Sequence, residues 1–190
     1  MQALGVWLWV IVAAVVILVV GIILYATSRV HANRRTAMLR EHFGAEYDRV
    51  VAEHGRPRGE AELRERLRRR REVTVRNLDA AERDRFGSAW ESAQSAFVDK
   101  PVQGLREADL LVMQVMRERG YPVEHFEERA DLISVDHPDL VEHFRSAHAA
   151  AVANEQEPVE TEDLRQAMVD YRYLFDELLQ GGDIERIPRV

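Results

Sequence analysis

Seven histidines and 33 aspartates and glutamates give this 190-residue chain many atoms that could hold a metal or move a proton. Spacing decides whether they do. Zinc held on one helix needs two histidines four residues apart, and a di-iron bundle needs Glu-x-x-His on two helices. Neither spacing occurs. The densest group is His137, Asp139, Glu142 and His143, with His148 beyond it. His143 and His148 are five apart and point to different helical faces. Acids at a helix start complement its dipole without any metal. His148 falls on an apolar face with Phe144 and Ala151, the place of a hydrogen-bonded core histidine.

Other chemistries are poorly served. The single lysine, Lys100, follows no glycine loop, and neither G-x-G-x-x-G nor G-x-S-x-G occurs. Six serines stand in no recognisable nucleophile context. The absence of cysteine excludes disulfides, thiolate metal sites and cysteine nucleophiles. The expectation is therefore no catalytic residue, no cofactor, no metal and no enzyme.

The sharpest charged feature is the run Arg68, Arg69, Arg70 and Arg71. Near an inner leaflet, anionic lipid headgroups attract such a segment by ~1 kcal/mol per charge. With Arg34 and Arg35 the run forms the candidate headgroup-contacting set. The bland alternative is a solvated helical face balanced by Glu60, Glu62, Glu65 and Glu72. Nucleic acid fits less well, because no aromatic residues interleave the arginines and the following segment is acidic.

These residues need something to hold them near a membrane. Val6 to Tyr25 is a run of twenty residues without one charge. As a helix it would span ~30 Å, the thickness of a bilayer core. Val6, Trp7, Trp9 and Tyr25 are its expected interfacial anchors, since amphipathic rings favour headgroup level. The run is too long and lacks the basic lead of a cleaved signal, although Val30-His31-Ala32 loosely fits a cleavage pattern. Arg29, Arg34, Arg35 and Arg40 follow the run, which sets the N-terminus outside and the C-terminus inside an inner membrane. Ala14, Gly21 and Ser28 share one helical face without a GxxxG pattern, so no oligomeric state follows.

Charge divides the remainder. Residues 29–71 carry a net +6 and residues 72–190 a net −13. Leu39, Phe43, Tyr47 and Val50 predict one helix from His31 to His54. Gly55-Arg56-Pro57-Arg58-Gly59 predicts a break, followed by a helix from Glu60 to Glu72 with Leu63 and Leu67 as a narrow stripe. Residues 73–78 are β-prone but too short for a sheet. A capping box at Asp79 and Glu82 opens a helix with Phe86, Trp90, Ala93 and Phe97 inward. Pro101 opens the next, with Leu105, Ala108, Val112 and Val115 inward, ending at Gly120-Tyr121-Pro122. A short helix is expected at Val123–Leu132, then one opened by Pro138 with Leu140, Phe144, Ala147 and Ala151 inward. The last is N-capped by Thr161 and carries Leu164, Met168, Tyr171, Phe175 and Leu178 to Gly181-Gly182.

The expected class is all-α: an N-terminal transmembrane helix, a charged helical neck and a small antiparallel bundle. The divisions are 1–5 outside, 6–25 in the membrane, 26–78 neck, 79–180 cytosolic domain and 181–190 tail. The stretches LREHFGAEYDRVV, ERGYPVEHFEERADLISVDHPDLVEHFRSAH and LRQAMVDYRYLFDELL resemble a group of small, often membrane-anchored actinobacterial proteins. That resemblance implies no activity and no site residues. The expected function is a tethered interaction or scaffolding module, with the bilayer, anionic headgroups and a protein partner as neighbours. Two alternatives are a tethered enzyme or metal sensor built on His137–His148, and a secreted helical protein if the N-terminus is cleaved.

Overall fold

A computed structural model describes residues 18, 20–22, 25, 29, 33–122, 124–156 and 159–181. Among the described residues the fold is all-α, with no strand. Helical residues 33–43 form α1. There follow α2 (Ala45–His54), α3 (Arg56–Glu72), α4 (Ala80–Asp99), α5 (Pro101–Arg119), α6 (Phe126–Asp136), α7 (Val141–Gln156) and α8 (Thr161–Gln180).

The expected single helix over His31–His54 is two. Gly44 separates them with φ 52°, a left-handed conformation that residues with a Cβ rarely adopt. The expected break at residues 55–59 shrinks to Gly55 alone. Pro57 sits in the first turn of α3, where its missing N–H costs nothing. Gly59 lies inside α3 because the helix crosses the α2 backbone there: an added Cβ would stand 3.1 Å from the Val50 carbonyl oxygen. Residues 74–79 run as a non-helical linker, as their shortness suggested, and the Arg76 amide donates to the Arg119 carbonyl at 2.8 Å.

Two apolar clusters form. The larger is the bundle core, from α4, α5, α6, α7 and α8, and includes Phe86, Trp90, Val112, Ile133, Phe144, Tyr171 and Phe175. Trp90 stacks on Phe175 with ring centroids 4.6 Å apart. The inward faces expected for α4, α5 and α8 are buried, except that Phe97 is only partly so. The smaller cluster joins Leu39, Phe43, Tyr47, Val50, Leu63 and Leu67 with Val135 of α6. The neck is thus folded against the bundle, with α3 packed on α6.

Some boundaries move. The short helix expected at Val123–Leu132 lies at Phe126–Asp136, because Leu132, Ile133 and Val135 are all core residues and the helix continues until Pro138 forces a turn. Residues 138–140 are that turn, and α7 starts at Val141. Thr161 is the first residue of α8 rather than its cap; Glu160 holds the cap position without a side-chain hydrogen bond. Gly181 ends α8 in a left-handed conformation. The capping box is present: Asp79 Oδ1 accepts from the Glu82 amide at 2.8 Å, and Glu82 Oε2 accepts from the Asp79 amide at 2.9 Å. Asp79→Ala removes one cap and is expected to lower stability by ~1 kcal/mol, read as a shifted urea midpoint at constant slope.

Candidate functional site

Of the expected anchor residues, Val6, Trp7 and Trp9 lie outside the described residues, as does most of the run 6–25. Leu18, Val20, Ile22 and Tyr25 are helical and exposed, between 48% and 64%. The Arg29 guanidinium lies 5.2 Å from the Tyr25 ring centroid. Among the described residues, no helix is long and apolar enough to cross a membrane.

Arg68 to Arg71 do not form one patch. Arg68 is exposed and paired within its own helix, with Glu65 and with Glu72 at 2.7 Å. Arg71 is also exposed. Arg69 reaches α6, where its Nη2 donates to Asp131 at 2.8 Å. Arg70 is buried; its Nε donates to Asp136 at 2.6 Å, and its guanidinium lies over Tyr121. Tyr121 donates its own hydroxyl to the same carboxylate at 2.5 Å. Burial raises the Tyr121 phenol above its ordinary pKa, and the Asp136 charge raises it further. Half the run therefore serves to fasten α3 to α6. Arg34 and Arg35 are exposed on α1.

The densest charge assembly centres on a residue that apolar spacing passes over. Glu46 is 3% exposed and accepts from three arginines. Arg49 Nε donates at 2.9 Å, Arg66 Nη1 at 2.7 Å, and Arg145 Nη1 at 2.8 Å with Nη2 at 2.9 Å. Burial alone would raise its pKa; Arg49, Arg145 and Arg66 outweigh it and hold the carboxyl at about 2. Arg66 is itself buried, pairs with Glu62 and lies 3.0 Å from Asp131. Glu46 thus ties α2 to α3 and α7. A signal existed: Phe43, Glu46, Tyr47 and Val50 fall at i, i+3, i+4, i+7, and so do Leu63, Arg66, Leu67 and Arg70. Each charge interrupts an apolar stripe, where it must be paired.

The histidines of residues 137–148 are not brought to one point. His143 Nδ1 lies 2.8 Å from Oδ1 of buried Asp170, which also accepts from Gln166 at 3.1 Å. His137 is buried, with Nδ1 3.4 Å from Glu177. Burial lowers its pKa despite the opposing pull of Asp136 and Glu177. His148 stacks on Phe126, centroids 3.8 Å apart. Among the described residues, no group of three or more His, Asp or Glu side chains is arranged to hold a metal ion. The His143–Asp170 pair can orient an imidazole and link α7 to α8.

Several concavities mark the surface of the described residues, two of them at the starts of α5 and α3. One, of about 440 Å³, lies at the α4–α5 turn between Lys100, Val102, Leu105, Arg106 and Ala151. The other, of about 350 Å³, lies between α1 and the start of α3. It is lined by Arg35, Thr36, Arg56, Glu60 and Arg64. No family model, no curated protein and no solved structure matches this chain.

Proposed function

We propose that this chain is a single-pass inner-membrane protein whose neck presents a cytosolic helical bundle as an interaction module. The observation that carries this reading is the uncharged run Val6–Tyr25 followed at once by Arg29, Arg34, Arg35 and Arg40.

The neck's ion pairs add a mechanical consequence. A bundle joined to its tether by a loose linker would tumble freely. Here Glu46–Arg145, Arg69–Asp131 and Arg70–Asp136 fasten α2 and α3 to α6 and α7. Neck and bundle are therefore fastened to each other, which favours the role of a platform. Its partner is a protein with a basic surface, drawn by the −13 carried on residues 72–190. The same field disfavours nucleic acid.

Alkaline carbonate extraction of membranes holding the full chain with a C-terminal cytosolic reporter tests the reading. The chain should stay in the pellet at its uncleaved mass with an active reporter. Release to the supernatant, loss of residues 1–32, or activity confined to the outer side would each overturn it.

A further inference from the structure

The concavity between α1 and α3 is lined by three guanidiniums, those of Arg35, Arg56 and Arg64. Arg35 and Arg64 both line it, and among the described residues neither has an ion-pair partner. Arg64 Nε donates only to the Glu60 backbone carbonyl at 3.0 Å. The third guanidinium, Arg56, is held in place: Nε donates to Glu60 Oε1 at 2.9 Å and Nη2 to Thr36 Oγ1 at 2.8 Å. Thr36 in turn donates to Glu60 at 2.8 Å, and Tyr47 donates to it at 3.0 Å. Glu60 is thus consumed in positioning Arg56, and the cleft keeps a surplus of positive charge.

From this we infer that the α1–α3 cleft binds a phosphate group, supplied by the headgroup of an anionic lipid. Guanidiniums match phosphate oxygens with paired N–H donors, and three around one concavity can share one phosphate. Volume suits a headgroup rather than a water or two, at about 350 Å³. Position selects the source, and here the inference rests on the tethered reading. Thr36 is only eleven residues past Tyr25, so a chain of that length keeps the cleft within reach of the headgroup layer. The tether holds the leaflet's phosphates at high effective concentration beside the cleft, whereas free phosphate is met only at its bulk concentration.

The test uses the full chain in a neutral detergent, so it can be read whether or not the chain resists carbonate extraction. Phosphatidylglycerol, phosphatidylcholine and inorganic phosphate are added separately, and bound species are counted by native mass spectrometry. The chain should retain phosphatidylglycerol at least tenfold better than phosphatidylcholine and bind inorganic phosphate weakly. The double variant Arg35→Ala/Arg64→Ala should lose about thirtyfold, two charges at ~1 kcal/mol each. The control Arg106→Ala/Arg117→Ala removes the same charge from exposed positions on α5 and should retain phosphatidylglycerol as the parent does. Equal retention of the two lipids, or equal loss in both double variants, overturns the site. Inorganic phosphate bound as tightly as phosphatidylglycerol overturns the lipid source. Failure of carbonate extraction alone would remove the tether and leave these readings intact.

Discussion

Glu46→Ala is expected to destabilise the chain by ~3 kcal/mol, lowering Tm by about 10 °C, with protease cutting first in α1–α3. The magnitude follows from what is left behind. Arg66 is 3% exposed and cannot regain water without opening the neck. Removing one partner of a buried pair typically costs 3–5 kcal/mol, since the stranded charge keeps its desolvation penalty. The low end applies because Arg66 retains Glu62 and Asp131. Arg145 and Arg49 each lose both of the nitrogen contacts they make to this carboxylate. Glu46→Gln keeps the shape and removes the charge, so its loss should be smaller but of the same sign.

Acid titration separates this carboxylate from the histidines. Glu46 has a folded pKa of about 2 against an ordinary 4.5, so its contribution is whole above pH 4.5 and drains away as pH falls towards 2. His42 and His137 are also lowered by burial, from 6.5. The unfolded chain binds their protons first, so their share of stability starts to fall below pH 6.5. Glu46→Gln should therefore flatten the stability curve below pH 4.5 and leave the upper limb unchanged. An unaltered lower limb would mean that Glu46 is not held by its three arginines.

Apolar periodicity proved legible wherever a helix buries only carbon. The stripes of α4, α5 and α8, the capping box at Asp79 and the stop at Gly120 could all be read from spacing. Where a helix also buries charge, apolar spacing understates its inward face. Arg66 and Arg70 stand at the inward positions of α3, so the helix buries a wider face than Leu63 and Leu67 imply. Their partners Glu46, Asp131 and Asp136 are 20, 65 and 66 residues away for the pairs Arg66–Glu46, Arg66–Asp131 and Arg70–Asp136. No local pattern reports a pairing over such separations. For the same reason spacing does not report that α6 contributes to both apolar clusters, Ile133 to one and Val135 to the other. The α1–α3 cleft was half visible: Arg35 stood out by its place after the apolar run, whereas Arg56 and Arg64 became its neighbours only through the turn at Gly55.

Gly104→Ala is expected to cost ~3 kcal/mol, the upper end of ordinary overpacking. Lys100 closes α4 and opens α5 by itself, so the two helices meet with no slack between them. An added Cβ at Gly104 would lie 2.5 Å from the Phe97 nitrogen and 2.6 Å from its Cβ. That obstacle is helix backbone rather than a flexible side-chain end, and α5 is also held by α7 and α8, so separation disturbs the bundle core. A urea midpoint equal to that of the parent would show that the crossing is looser than the structure has it. The double variant with Glu46→Ala carries the more informative result. The two sites share no partner, so losses should add to within ~0.5 kcal/mol if neck and bundle melt as one unit. α6 puts Ile133 into the bundle core and Val135 into the neck cluster, and such a shared helix makes a single transition the expected outcome. Two resolved transitions, the first moved only by Glu46→Ala and the second only by Gly104→Ala, would mean that the arginine clamps align the neck without joining it to the bundle's cooperative unit.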